Sequence, residues 1–122
     1  MFETIEGFGD DVVALRGTGT VTGDDYRTVL APTIERATIG GRKAKLLLEL
    51  GDGFEGYDPG AILADATVGG GHLGSFERIA VVTEAEWIRR AIQLFGGLIP
   101  GDVRLFSVAE RDTAQEWIGA RD

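Results

Sequence analysis

Two short apolar runs constrain this chain more than any other feature: Leu46–Leu47–Leu48 within Ala44–Leu50, and Ile79–Ala80–Val81–Val82 after Arg78. Neither alternates with polar residues as a strand with one wet face does. The pattern is that of strands covered on both faces, found where helices pack over a parallel sheet. Each run is followed by helix signals. After the first, the loop GDGFEGYDP leads to Asp58–Pro59, an aspartate cap with proline at the first helical position. Ala61, Ile62, Leu63 and Ala64 carry that helix toward Gly69–Gly70–Gly71, which ends it. After the second, Thr83–Glu84–Ala85–Glu86 has the form of a capping box, opening a helix over 84–95 that stops at Gly96–Gly97.

The remainder agrees with this alternation. Phe2, Ile5 and Phe8, the Gly9–Asp10–Asp11 turn and Val12–Val13–Ala14–Leu15 read as two strands. Thr22 reads as an N-cap with Asp24 and Asp25 in the first turn, where carboxylates favour the positive end of the helix dipole. Tyr26, Val29, Leu30 and Ile34 share one face of that helix, and Pro32 in its middle predicts a kink or break. Val103–Phe106 makes a last strand. Ser107 and Glu110 form a second capping box, opening a helix that buries Ala114, Trp117 and Ile118. The expectation is a single α/β domain over residues 1–122, element order ββαβαβαβα. Its mixed, mostly parallel sheet has about five strands, with helices packed on it through right-handed crossovers.

Composition removes several function classes. The 122 residues contain no cysteine and one histidine, His72, so thiolate metal sites, disulfides and cysteine nucleophiles are excluded, and polyhistidine sites are not expected. A formal charge of −8 repels phosphate backbones, which argues against nucleic acid. Arg42, Lys43 and Lys45 read as a solvated turn before a buried strand. With no signal-like segment and no apolar stretch of membrane-spanning length, a cytoplasmic protein is expected.

Motifs for chemistry do not hold up. Gly69-x-Gly71-x-x-Gly74 has the letters of a dinucleotide fingerprint, but it follows a helix and precedes a strand, the reverse of the working context. His72 has only Ser75 and Ser107 as serine partners and reads as a loop histidine bonded to backbone. Asp52, Glu55, Asp58 and Asp65 cluster past the end of the central strand, where open α/β sheets bind ligands, yet the same residues serve as turn formers and a cap. No enzyme, metal or cofactor is expected.

The informative feature is apolar. On helix 84–95, Ile88, Ala91, Ile92 and Phe95 form one stripe, enough to dock the helix on its sheet. Trp87, Ala91 and Leu94 form a second stripe roughly 100° around the wheel, which Leu98 would extend. That surplus reads either as a pocket wall, membrane-touching lip or dimer face, or as the extra face of a deeply sunk helix. Phe54 and Tyr57, on the glycine-flanked loop, either line the same cavity or lie as lids over the sheet edge.

A resemblance emerges from several of these pieces in order. They are Val21–Thr22 before Asp24–Asp25–Tyr26, the mid-helix Pro32, Phe54–Glu55–Gly56–Tyr57 with Gly60–Ala61, and then Asp65 and His72. Phe76–Val82, Trp87, Pro100 with Val103–Arg104 and Phe106, and Ala114 with Trp117–Ile118 complete them. The chain resembles the SpoIIAA-like family of small bacterial proteins, related in fold to STAS domains and similar to CRAL-TRIO lipid-transfer domains. The resemblance implies a sheet with helices on one side. It also implies a small hydrophobic or lipid-like ligand held between the sheet and a mobile helical element, with peripheral membrane contact through 84–99. Trp87, Ala91, Leu94, Phe95, Leu98, Phe54, Tyr57 and His72 are the expected ligand contacts, and a homodimer is a further expectation. The alternative is a STAS-type regulatory domain that binds protein partners. That domain would act without phosphorylation, because Gly51–Asp65 contains no serine or threonine to carry a phosphoryl group.

Overall fold

Strand β2 (Val12–Gly17) shows how the sheet is built, because its successive side chains enter two different cores. Val13 and Leu15 join one cluster with Tyr26, Leu30, Ile34 and Ile88; Ala14 joins another with Ala114 and Ile118. The computed structural model describes residues 1–58, 75–98 and 101–119. In it, β1 (Phe2–Thr4), β2, β4 (Ala44–Leu50), β6 (Phe76–Thr83) and β7 (Asp102–Phe106) form a five-stranded sheet in the order β1-β2-β4-β6-β7. β1 runs antiparallel to β2, and every other pair is parallel. The mixed, mostly parallel sheet expected from the two apolar runs is what forms.

Two strands were not legible as such. β3 (Gly19–Val21) and β5 (Phe54–Tyr57) pair in parallel as a separate ribbon, so the segment read as a loop around Phe54 is partly extended. Gly56 carries φ = +129° within it, a conformation that side-chain-bearing residues rarely adopt.

The helix before β4 spans 23–37 and is called α1. It runs Gly23–Asp25, then Tyr26–Leu30 with π hydrogen bonding, then Ala31–Ala37. Thr22 and Asp25 close a reciprocal capping box at its start. Pro32 does not break it. The wider turn, in which the Ala31 N–H reaches the Tyr26 carbonyl, immediately precedes a proline that has no N–H to offer.

Helix α2 (Glu86–Phe95) begins two residues later than the Thr83 box implies. Thr83 is fully buried and still in β6, opposite Leu50, and its hydroxyl accepts from the Ala85 N–H at 3.1 Å; Ala85 is the cap residue. Glu84 bonds the Val108 N–H instead, at 2.7 Å. α2 passes into a 3-10 turn over Gly96–Leu98 rather than stopping at the glycines, and Gly96 stays right-handed.

The second predicted box does form. Ser107 and Glu110 exchange their bonds ahead of the 3-10 turn Val108–Glu110 and helix α3 (Arg111–Gly119). The expectation of helices on one side is corrected here, because α1 and α2 cover one face and α3 covers the other. Ala14 and Ala80 flank Leu47 in register across the sheet, and such small side chains leave room for α3. Trp117 of α3 is half-buried rather than buried, its ring approached by the guanidiniums of Arg104 at 4.5 Å and Arg78 at 5.4 Å. Beyond its cap residue Asp58, the helix expected from Asp58–Pro59 to Gly69–Gly71 lies outside the described residues, as do Asp65, His72 and Pro100.

Candidate functional site

A row of aromatic rings runs from the core to the surface on the α1/α2 face. Phe2 and Tyr26, both buried, meet edge to face with centroids 5.4 Å apart. Tyr26 lies 6.1 Å from Tyr57, and Tyr57 meets Phe54 at 5.2 Å. Tyr57 also meets Trp87 edge to face at 5.7 Å. Such geometry sets the positive edge of one ring against the negative face of the next, a preference worth about 0.5–1.5 kcal/mol per pair beyond area burial. The ribbon of β3 and β5 places Phe54 and Tyr57 here, and the start of α2 brings Trp87 to them.

The two stripes of α2 separate as their spacing dictates. Ile88 is buried and Ile92 half-buried, both in the core that includes β6, and they seat the helix. The other stripe faces outward. Trp87 is 54% exposed and Leu94 70% exposed, with half-buried Ala91 between them. Residues seven apart lie nearly in line along a helix, so Trp87 and Leu94 make a single apolar strip two turns long, continued sideways by Tyr57. Beside the end of α2 lies a cavity of about 330 Å³, lined by Ile92, Gly96, Gly97, Gly101, Asp102 and Val103. Phe54, Tyr57, Trp87, Ala91 and Leu94 are thus placed on one side of the molecule. His72 and the side chains of Phe95 and Leu98 lie outside what the structure describes.

The charged residues singled out in the sequence are partly committed to structure. Arg42 caps the end of α1 through the Ala37 carbonyl at 2.7 Å and reaches the Asp10 carbonyl at 3.0 Å; Lys45 pairs with Glu77 at 3.7 Å. Among the described residues no three acidic or histidine side chains gather to hold a metal. Asp52 and Glu55 are exposed, and the Asp58 N–H bonds the Val21 carbonyl. No helix among the described residues is long and apolar enough to cross a membrane.

Two carboxyls are perturbed, and both belong to capping boxes. Burial pushes the Asp25 carboxyl up, but the Thr22 N–H and hydroxyl together with the Met1 amino group outweigh it, leaving the group below the usual aspartate range. Glu110 is lowered chiefly by the Ser107 N–H and then by the Ser107 hydroxyl.

One charged residue of interest escaped the sequence reading. Glu49 sits in the middle of the sheet at 2% exposure, joined to Arg16 and Gln115. A signal existed, since Leu48–Glu49–Leu50 interrupts an apolar run with a charge and Arg16 does the same in β2.

Comparison with known proteins now fits onto this geometry. A family model described as SpoIIAA-like matches residues 12–119. Among solved structures, an uncharacterized protein with a SpoIIAA-like fold from Shewanella loihica PV-4 superposes with a TM-score of 0.75. It is 22% identical, with 97% of this chain and 92% of that chain covered. A search of the curated proteins found no match. The family match takes in every element from β2 to α3, and the chain belongs to the SpoIIAA-like family.

Proposed function

We propose that this chain is a non-enzymatic binding domain for a small hydrophobic or lipid-like ligand, taken up along the outward strip of α2 beside Tyr57. The observation that carries the reading is the exposure of Trp87 and Leu94 on a helix already seated by Ile88 and Ile92. Trp87 and Leu94 leave half or more of their surface in water, and a ligand that covers it recovers part of the about 1.5–3 kcal/mol that full burial of a large apolar side chain is worth. Membrane contact through this strip would be apolar in kind, since the net charge is −8 and Arg42 and Lys45 are bonded within the domain.

Native mass spectrometry and lipid extraction of the purified protein test the reading, with thermal shift against fatty acids and phospholipid vesicles. A bound ligand or a raised Tm that Trp87→Ser removes is expected. Absence of both sinks the proposal. A second reading, regulatory docking of a protein partner or a second copy, uses the same strip. Light scattering on the wild type and Trp87→Asp tests its second-copy form, and an unchanged mass removes that form.

A further inference from the structure

The α3 face of the sheet carries a charge where its neighbours are apolar. Arg16, Glu49, Val82 and Phe106 lie side by side in register at the carboxyl ends of β2, β4, β6 and β7. Val82 and Phe106 belong to the apolar cluster under α3, and the pattern of β4 would accept a third apolar residue between Val82 and β2. Instead Glu49 is nearly inaccessible. Its Oε1 accepts from the Arg16 guanidinium at 3.2 Å and its Oε2 from the Gln115 side-chain amide at 2.7 Å. Only the carboxylate of this pair is buried, and burying a charge costs stability that a packed apolar residue at the same position would not, so stability alone does not account for it.

Beside the pair opens a cavity of about 510 Å³, above the ends of β2, β4 and β6 and against the first turns of α3. Its charged and amide walls are Arg16, Glu49, Asp52, Arg111, Asp112 and Gln115. The volume falls in the range of small-molecule pockets, and the carboxyl ends of the strands are where open α/β sheets hold ligands.

The wall chemistry narrows the occupant. Two guanidiniums and three carboxylates share its walls, so a ligand of one sign would meet like charge there. Glu49, buried and bonded through both oxygens, holds the Arg16 guanidinium in place, and Arg16, 43% exposed, retains N–H donors for a ligand. We propose that this cavity binds a small zwitterion of the amino-acid class, its ammonium drawn to Asp52 and Asp112 and its carboxylate to Arg111 and to the Arg16 guanidinium that Glu49 holds in place. The site lies on the opposite face of the sheet from the Trp87 strip and stands or falls independently of it.

The test is saturation-transfer NMR and calorimetry on the whole chain with glycine, L-serine and L-glutamine at millimolar concentration. N-acetylglycine, which lacks the ammonium, and glycinamide, which lacks the carboxylate, serve as controls. Binding of at least one zwitterion is expected, with both controls weaker by about tenfold or more, the scale of one lost charge-assisted contact. Arg111→Ala, at an exposed position, should weaken the zwitterion by a similar factor, and Trp87→Ser should leave it unchanged. Glu49→Gln should also weaken it; should that variant not fold, Arg111→Ala carries the test alone. The proposal is overturned if none of the three zwitterions binds, if either control binds as tightly as the best zwitterion, or if Arg111→Ala binds unchanged.

Discussion

The two faces of the sheet are built from the same strands yet solve different problems. Under α1 and α2 the inward side chains are large and apolar: Val13 and Leu15 from β2, Ile79 and Val81 from β6, Ile34 and Ile88 from the helices. Under α3 the alternate positions of the same strands are Ala14 and Ala80, with Leu47 between them, and toward the carboxyl end the row turns to Arg16 and Glu49. One face is a dry core that spills apolar surface outward along α2. The other is a thinner core whose upper end stays polar and open. A strand's period of two lets one segment serve both, because a change on one face does not dictate its neighbours on the other.

The apolar face is most sensitive at Leu15, which is fully buried. Leu15→Ala should cost about 2–5 kcal/mol, transfer plus cavity, in urea denaturation with an unchanged m-value. Glu49→Gln on the α3 face should cost less, about 1–3 kcal/mol. It keeps the volume and the Gln115 contact while loosening the bond from a half-exposed Arg16. Equal losses at the two positions would mean the polar end of the α3 face is as integral to the core as the aliphatic face.

Each face also has one helix opened by a capping box, and the two boxes respond differently to acid. Asp25→Ala should cost about 1 kcal/mol at neutral pH, the scale of one net hydrogen bond, here that from the Thr22 N–H. The folded Asp25 pKa lies below its unfolded value. Its contribution is therefore fully present above the unfolded value of about 3.9 and is lost as pH falls through the folded one. The stability gap between wild type and Asp25→Ala should hold from neutral pH to near 5 and close below 4, read by thermal melts. Glu110 has the same sign but is fully exposed, so Glu110→Ala should change the acid limb less.

Much of the fold was legible because it is written in local signals. The runs Leu46–Leu48 and Ile79–Val82 announce central parallel strands, and Thr22 with Asp25 and Ser107 with Glu110 mark helix starts that the structure contains. The Thr83 box misled because its threonine was claimed by strand pairing with Leu50, a partner far away in sequence. β3 and β5 escaped for the same reason: three and four residues long, they exist through pairing with each other and carry no periodicity of their own. Of the candidate site, the Trp87–Ala91–Leu94 strip followed from helical spacing, and Tyr57 joined it only through that ribbon. Nor does any window of sequence hold the α3 cavity, whose walls come from β2, the turn after β4, and α3.

The smallest expected effects on folding fall on α2 and carry the sharpest functional contrast. Trp87→Ser removes the edge-to-face contact with Tyr57 and should cost about 1 kcal/mol. Leu94 has most of its surface in water, so Leu94→Ser should change stability by no more than about 0.5 kcal/mol. If the strip serves only packing, ligand-dependent shifts in Tm should be absent in wild type and variants alike. If it binds an apolar ligand, Leu94→Ser should lose that shift while its unliganded Tm stays with the wild type. That separation of binding from stability is the property a buried residue such as Leu15 cannot show, because nothing can be removed there without the fold registering it.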